Sequence, residues 1–217
     1  MLHDVFCIRI DGGFGPIGGG GSGGGGGGQG KPKPKPTPPP CNAKLTGDAD
    51  VDKTAQYLFG EQTDGSIAEY TGMATSFMNR ASLNVAGFGC NLSDVLANAS
   101  NADNNGGNTP FNNAATDKGL SGLDPAACDA YKRAQAAAKN VLRGDAGGPS
   151  GAGVSDFRSD YLWFASNQPE PRDIPQGGAR LTVGVWTFRN YDYRGRDRQG
   201  NAIYKFGADY LKDPKCK

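Results

Sequence analysis

Apolar residues recur at helical spacing through the first half of the chain. Val51, Ala55, Leu58 and Phe59 share one face of a helix that Asp48 or Asp50 can cap. Thr63-Asp64-Gly65-Ser66 breaks that pattern. A second helix follows over about Ile67–Ser82, with Tyr70, Met73, Ala74 and Phe77 on one stripe. Asn91 to Leu96 reads as a short helix. Asp124–Gly144 reads as a long one: Asp124-Pro125 starts it, an alanine-rich body follows, and Arg143-Gly144 ends it. Asn98–Asn113 holds seven asparagines and two glycines and reads as a polar loop, long enough to suggest a function or a specific shape. Gly147–Gly153 reads as another loop, without the Gly-Lys-Ser/Thr ending of a phosphate-binding one.

The period then changes. Tyr161-Leu-Trp-Phe164 predicts a short buried strand and Arg180–Phe188 a second. Asn201–Phe206 predicts a third, after a turn at Arg194–Gly200. Helices first and a small antiparallel sheet afterwards define an α+β domain.

Composition sets where that domain begins. Residues 1–40 hold 14 of the 35 glycines and cannot contribute to a core. After a short head, residues 11–30 are a glycine-rich coil, and Lys31–Pro40 alternates into a semi-rigid polyproline II spacer whose lysines are solvated. Residues 1–40 are therefore expected to be a disordered linker, and residues 41–217 one folded domain. A net charge of +1 gives no case for a nucleic-acid partner. No apolar run approaches the ~20 residues that cross a bilayer. Val5-Phe6-Cys7-Ile8 lacks the basic start and the length of a signal-peptide core, so classical secretion is not expected from this chain.

Cys7 precedes the linker, whereas Cys41, Cys90, Cys128 and Cys216 fall in the folded part without any CxxC spacing. Four such cysteines suit two disulfides and an oxidising compartment, with three connectivities open. His3 is the chain's one histidine and lies outside the folded part. That argues against Ser-His-Asp and Cys-His nucleophiles and against the usual catalytic zinc sites. No metal or cofactor is expected, and any catalysis falls to a carboxylate. Glu61, ending the first helix after Leu58-Phe59-Gly60, is the best-placed one. Partial burial there would move its pKa toward a general-acid value, and Gly60 leaves the backbone open to close approach.

Glu61 is followed eighteen residues later by Asn79-Arg80, at the end of Gly72-Met-Ala-Thr-Ser-Phe-Met-Asn-Arg80. This arrangement resembles the SleB-type cell wall hydrolases, the spore cortex-lytic enzymes. Later landmarks follow in order: Leu92–Leu96, Pro110-Phe111, the alanine-rich Ala134–Gly144, Asp160–Phe164, and Val183-Gly184-x-x-x-Phe188. Three positions depart from the family pattern. Gly65 stands where a second acid is often found, Pro110 replaces a glutamine, and Trp186 replaces the histidine of the last motif.

The resemblance implies a helical, lysozyme-like or SleB-like catalytic domain that cleaves peptidoglycan glycan strands as a muramidase or lytic transglycosylase. Glu61 is then the general acid, with Asn79, Phe111, Tyr161 and Trp163 as substrate-binding candidates. Trp186 is a further aromatic that could face sugar or core, as strand alternation allows for any of these rings. Asn79-Arg80 reads on its residues alone as a pair bracing the Glu61 region. Asp64 and Glu69 are possible second acids, though a solvated loop Asp and an exposed helix Glu are the expected settings. The glycine-rich tether resembles the junction between an Rhs-type polymorphic toxin core and its C-terminal toxin. That likeness implies delivery to a bacterial periplasm and an immunity protein as partner. The rival expectation is a glycan-binding module without turnover, in which Glu61 only hydrogen-bonds sugar.

Overall fold

A computed structural model of the chain describes residues 39–85, 87–99, 107, 109–144, 156–166, 178–190, 195–196, 202–203 and 214–216. The expected linker over residues 1–38, the loop at 147–153 and most of 98–108 lie outside the described residues. Among the described residues, six helices come first: α1 (Ala49–Glu61), α2 (Ile67–Leu83), α3 (Leu92–Ala99), α4 (Thr109–Asn113), α5 (Asp117–Ser121) and α6 (Pro125–Arg143). Five short strands follow: β1 (Trp163–Ser166), β2 (Arg180–Val183), β3 (Trp186–Arg189), β4 (Gly195–Arg196) and β5 (Ala202–Ile203). The domain is α+β.

Each long helix starts where its cap dictates. Asp48 accepts from the amides of Asp50 and Val51 at the start of α1. Ser66 and Glu69 form a capping box on α2. Asp124 accepts from the Ala127 amide ahead of Pro125, and Gly144 ends α6 in the left-handed region at φ 65°. The α1 and α6 helices are further joined through Arg143, whose guanidinium meets Asp48 at 2.7 and 2.9 Å. α1 and α2 both pack on α6. The stripes foreseen from the sequence are the ones buried: Val51, Ala55, Leu58 and Phe59 on α1, and Tyr70, Met73, Ala74 and Phe77 on α2.

The three-stranded sheet, in order β1-β3-β2 and antiparallel throughout, lies against α2. Gly72 permits that approach. A side chain there would run into the rings of Phe188 and Phe157, the latter only 2.6 Å from a Cβ at this position. Phe77 and Phe164 meet edge to face at 5.6 Å across the same interface. β1 starts beside the C-terminal part of α2, where Arg80 Nε donates to the Leu162 carbonyl at 2.5 Å. Its other end pairs Ser166 with Trp186 of β3.

Several expectations are corrected here. Arg180–Phe188 is not one strand: it folds into β2 and β3 about a two-residue turn, Gly184-Val185, with Gly184 at φ 58° and Val183 opposite Trp186. A Gly-x turn of this kind matches the right-handed twist of its flanking strands, and the continuous apolar run hid it. Part of the expected polar loop is helical, as α4, and α5 follows it unannounced. Of the expected strand Asn201–Phe206, Ala202 and Ile203 pair with Gly195 and Arg196, and the rest lies outside the described residues.

Both disulfides are present: Cys41–Cys128 and Cys90–Cys216. The first fastens the entry segment to the start of α6. That segment is also held by hydrogen bonds from the Leu45 amide to Asp117 and from Gln135 to the Lys44 carbonyl. Among the described residues, no helix is long and apolar enough to cross a membrane.

Candidate active site

Glu61 is the last residue of α1, half-buried, separated by Gly60 from the fully enclosed Leu58 and Phe59. Gln62 then turns into extended backbone and caps the helix, its amide bonding the Leu58 carbonyl. What distinguishes this helix end is how firmly the next four residues are held. The Tyr70 hydroxyl donates to the Gln62 carbonyl at 2.5 Å and accepts from the Gly65 amide at 3.2 Å. Arg133 of α6 donates to the Gly65 carbonyl at 2.8 Å. The indole N–H of Trp186 donates to the Gln62 side-chain oxygen. Three separate elements, α2, α6 and the β2–β3 hairpin, therefore converge on the segment that follows Glu61. Burial pushes the Tyr70 phenol well above its ordinary value, so it stays a neutral donor.

A Cβ at Gly65 would stand 2.6 Å from the Tyr70 ring, so this position has no room for a side chain. Asp64 is exposed, in keeping with a solvated loop residue. Glu69 is not the exposed helix residue expected: it is 6 % exposed. One carboxylate oxygen accepts from the Ser66 amide at 2.8 Å and the other from the Val185 amide at 3.1 Å. Glu69 thus clamps the hairpin turn onto the start of α2, with both oxygens engaged by backbone. Among the described residues, no group of three or more His, Cys, Asp or Glu is placed to hold a metal ion.

The other named residues lie elsewhere. Asn79 is twelve residues past the start of α2, some 18 Å along the axis by the ~1.5 Å helical rise. Its side-chain amide donates to the carbonyls of Arg158 and Tyr161 at 3.1 and 2.9 Å. Arg80 is 2 % exposed, with its guanidinium 4.5 Å from the Phe88 ring and 4.9 Å from Trp163. The pair braces the start of β1 directly, and the Glu61 region only through the sheet. Phe111 is buried against Tyr57 in an edge contact at 4.9 Å. Tyr161 and Trp163 are buried at 5 % and 8 % exposure, and burial raises the Tyr161 phenol as well.

Trp186 is different: partly exposed, packed edge to face on Phe164 at 5.5 Å, and bonded to the residue next to Glu61. Gln62 drew no notice in the sequence, because nothing local marks a helix-capping glutamine as the partner of a distant indole. The chain matches no protein-family model, no curated protein and no solved structure to which it was compared.

Proposed function

We propose that this domain cleaves the glycan strands of peptidoglycan with Glu61 as general acid, in a SleB-like, lysozyme-like arrangement. The observation that carries the reading is the setting of Glu61: a half-buried carboxyl ending a helix, beside an aromatic-bearing hairpin, on a segment fixed from three sides. General acid catalysis depends on such fixed geometry. Glu61 gives its proton to the glycosidic oxygen as the C1–O bond breaks. The cramped Gly65 and the engaged Glu69 favour the one-carboxylate course over the two-carboxylate one. In that course the sugar's own 6-hydroxyl bonds to C1 and returns its proton to Glu61, closing a 1,6-anhydro ring. The disulfides suit an oxidising compartment, and the periplasm, where the substrate lies, is the setting we assign. An Rhs-like effector role would add an immunity protein as partner.

Incubation of purified peptidoglycan with wild type and Glu61→Gln, with products read by mass spectrometry, tests the proposal. The glutamine keeps size and hydrogen bonding but cannot deliver a proton, so release should fall by at least ~10²-fold. Anhydro-muramic ends identify the transglycosylase course and reducing ends the hydrolytic one. Near-normal release by Glu61→Gln would remove Glu61 from the chemistry. Binding without release by the wild type would favour the glycan-binding module.

A further inference from the structure

We infer that Trp186 is the sugar-stacking platform of this site, taking the pyranose ring of an N-acetylhexosamine beside Glu61, and that Gln62 is its positioning residue. The inference rests on the glycan-strand reading above. An aromatic ring that stacks on a sugar needs an open face, a fixed orientation and a place next to the reacting bond. Of the four aromatic candidates, Phe111, Tyr161 and Trp163 are buried in the core. Trp186 is partly exposed, is held by two contacts and is bonded to the residue after Glu61.

The hairpin leaves Trp186 partly exposed at the first position of β3, immediately after the Gly184-Val185 turn. Two contacts set its orientation. Phe164 packs against it at an interplanar angle of 72°, and the Gln62 side-chain oxygen holds its N–H. The turn is itself fixed, because Glu69 accepts from the Val185 amide and Gly184 leaves no room for a side chain against that carboxylate. Gln62 adjoins Glu61 in sequence, so one backbone link joins the ring's anchor to the proposed acid. Rings that sit ready in one orientation lose little entropy when a ligand arrives.

The test uses the whole domain with soluble N-acetylglucosamine oligomers and peptidoglycan-derived glycan strands as probes, in the Glu61→Gln background so that nothing turns over. Trp163 and Trp186 are the chain's two tryptophans, and one is buried. Saturating glycan should therefore shift or quench the exposed part of the emission, and Trp163→Phe should keep that response. By calorimetry, Trp186→Ala should weaken binding about tenfold, the loss of one aromatic contact of ~1.4 kcal/mol. Trp186→Phe keeps the packing on Phe164 and tests the ring without the N–H. Gln62→Ala should weaken binding and expose Trp186 to acrylamide, whereas Gln62→Glu, which still offers an acceptor oxygen, should restore both.

Unchanged affinity in Trp186→Ala and Trp186→Phe, with near-ultraviolet circular dichroism showing a folded core, overturns the inference. If Glu61-dependent cleavage persists with an unaltered KM when the same Trp186 substitutions are made with Glu61 intact, the proposed function stands and the platform alone is wrong. If the wild type neither binds nor cleaves any glycan, both fall together.

Discussion

The hydroxyl of Tyr70 lies 2.5 Å from the carbonyl oxygen of Gln62, joining the first turns of α2 to the end of α1 at the residue after Glu61. The hydroxyl oxygen of Tyr70 also accepts from the Gly65 amide, so one phenol satisfies a donor and an acceptor of a short connection. Tyr70→Phe removes both partners while leaving the packed ring in place. The expected cost is about 1–3 kcal/mol, since two backbone groups lose their partner. Urea unfolding measures it. Glycan release should fall more steeply than the folded fraction does, because Glu61 loses its support. Equal activity per folded molecule would show that the bridge serves stability alone.

Arg80 should tolerate little. Its guanidinium is buried among Phe77, Phe88, Trp163 and Phe164, and its Nε holds the Leu162 carbonyl. Arg80→Lys keeps the charge but loses the planar group that fits between rings and the donor aimed at β1. A loss of about 2–4 kcal/mol is expected, from a desolvated cation–π contact and a charged hydrogen bond together. A change below ~0.5 kcal/mol in denaturant unfolding, ordinary for a surface site, would show that this planar fit contributes nothing.

The two disulfides close long stretches of chain, 87 and 126 residues apart in sequence. In the chain-entropy account each removes unfolded-state freedom worth up to ~4–5 kcal/mol, and loss of a native bridge commonly costs ~2–5. Reduction should therefore lower the melting temperature visibly. The Cys41→Ala/Cys128→Ala pair should also loosen the entry segment, which proteolysis after residue 41 would detect. Titratable thiols at Cys41, Cys90, Cys128 and Cys216 in the oxidised protein would contradict both the pairing and the compartment it implies.

Acid should weaken the α1–α6 junction before the core gives way. The Arg143 guanidinium beside Asp48 holds that carboxyl at about 2, below its ordinary 3.8. A carboxylate depressed in the folded state stabilises the fold above its unfolded pKa, and that contribution is lost as pH falls through the folded one. The melting temperature should thus decline between about pH 4 and pH 2 by more in wild type than in Arg143→Met, which has no such pair. Parallel curves for the two proteins would assign the acid sensitivity to other groups.

Much of the helical half could be read from the chain because its signals are local. Caps act within three residues and a helical stripe repeats every 3.6, so Asp48 and Asp124-Pro125 announced α1 and α6, and the stripe of Tyr70, Met73, Ala74 and Phe77 announced α2, without reference to the rest. Four spread cysteines implied bridges for the same kind of reason, an even count in the folded part with no metal-binding spacing.

Tertiary structure decided what depends on which face meets what. Alternation along a strand defines two sides but not which one is covered, so Tyr161 and Trp163 could equally have faced sugar. They went inward because Asn79 and Arg80 fix the start of β1 against α2. Glu69 looked like a solvated helix residue until the β2–β3 turn folded over it. Gly65 looked like a loop breaker, yet it is the space that the Tyr70 ring fills. The partnership of Gln62 with Trp186 spans 124 residues, and the cysteine pairings span 87 and 126. Sequence alone set the longer helices, the caps of α1 and α6 and the carboxylate that ends α1, since each is written within a few neighbouring residues. The surroundings of that carboxylate come from contacts between segments far apart in the chain, which only their packing brings together.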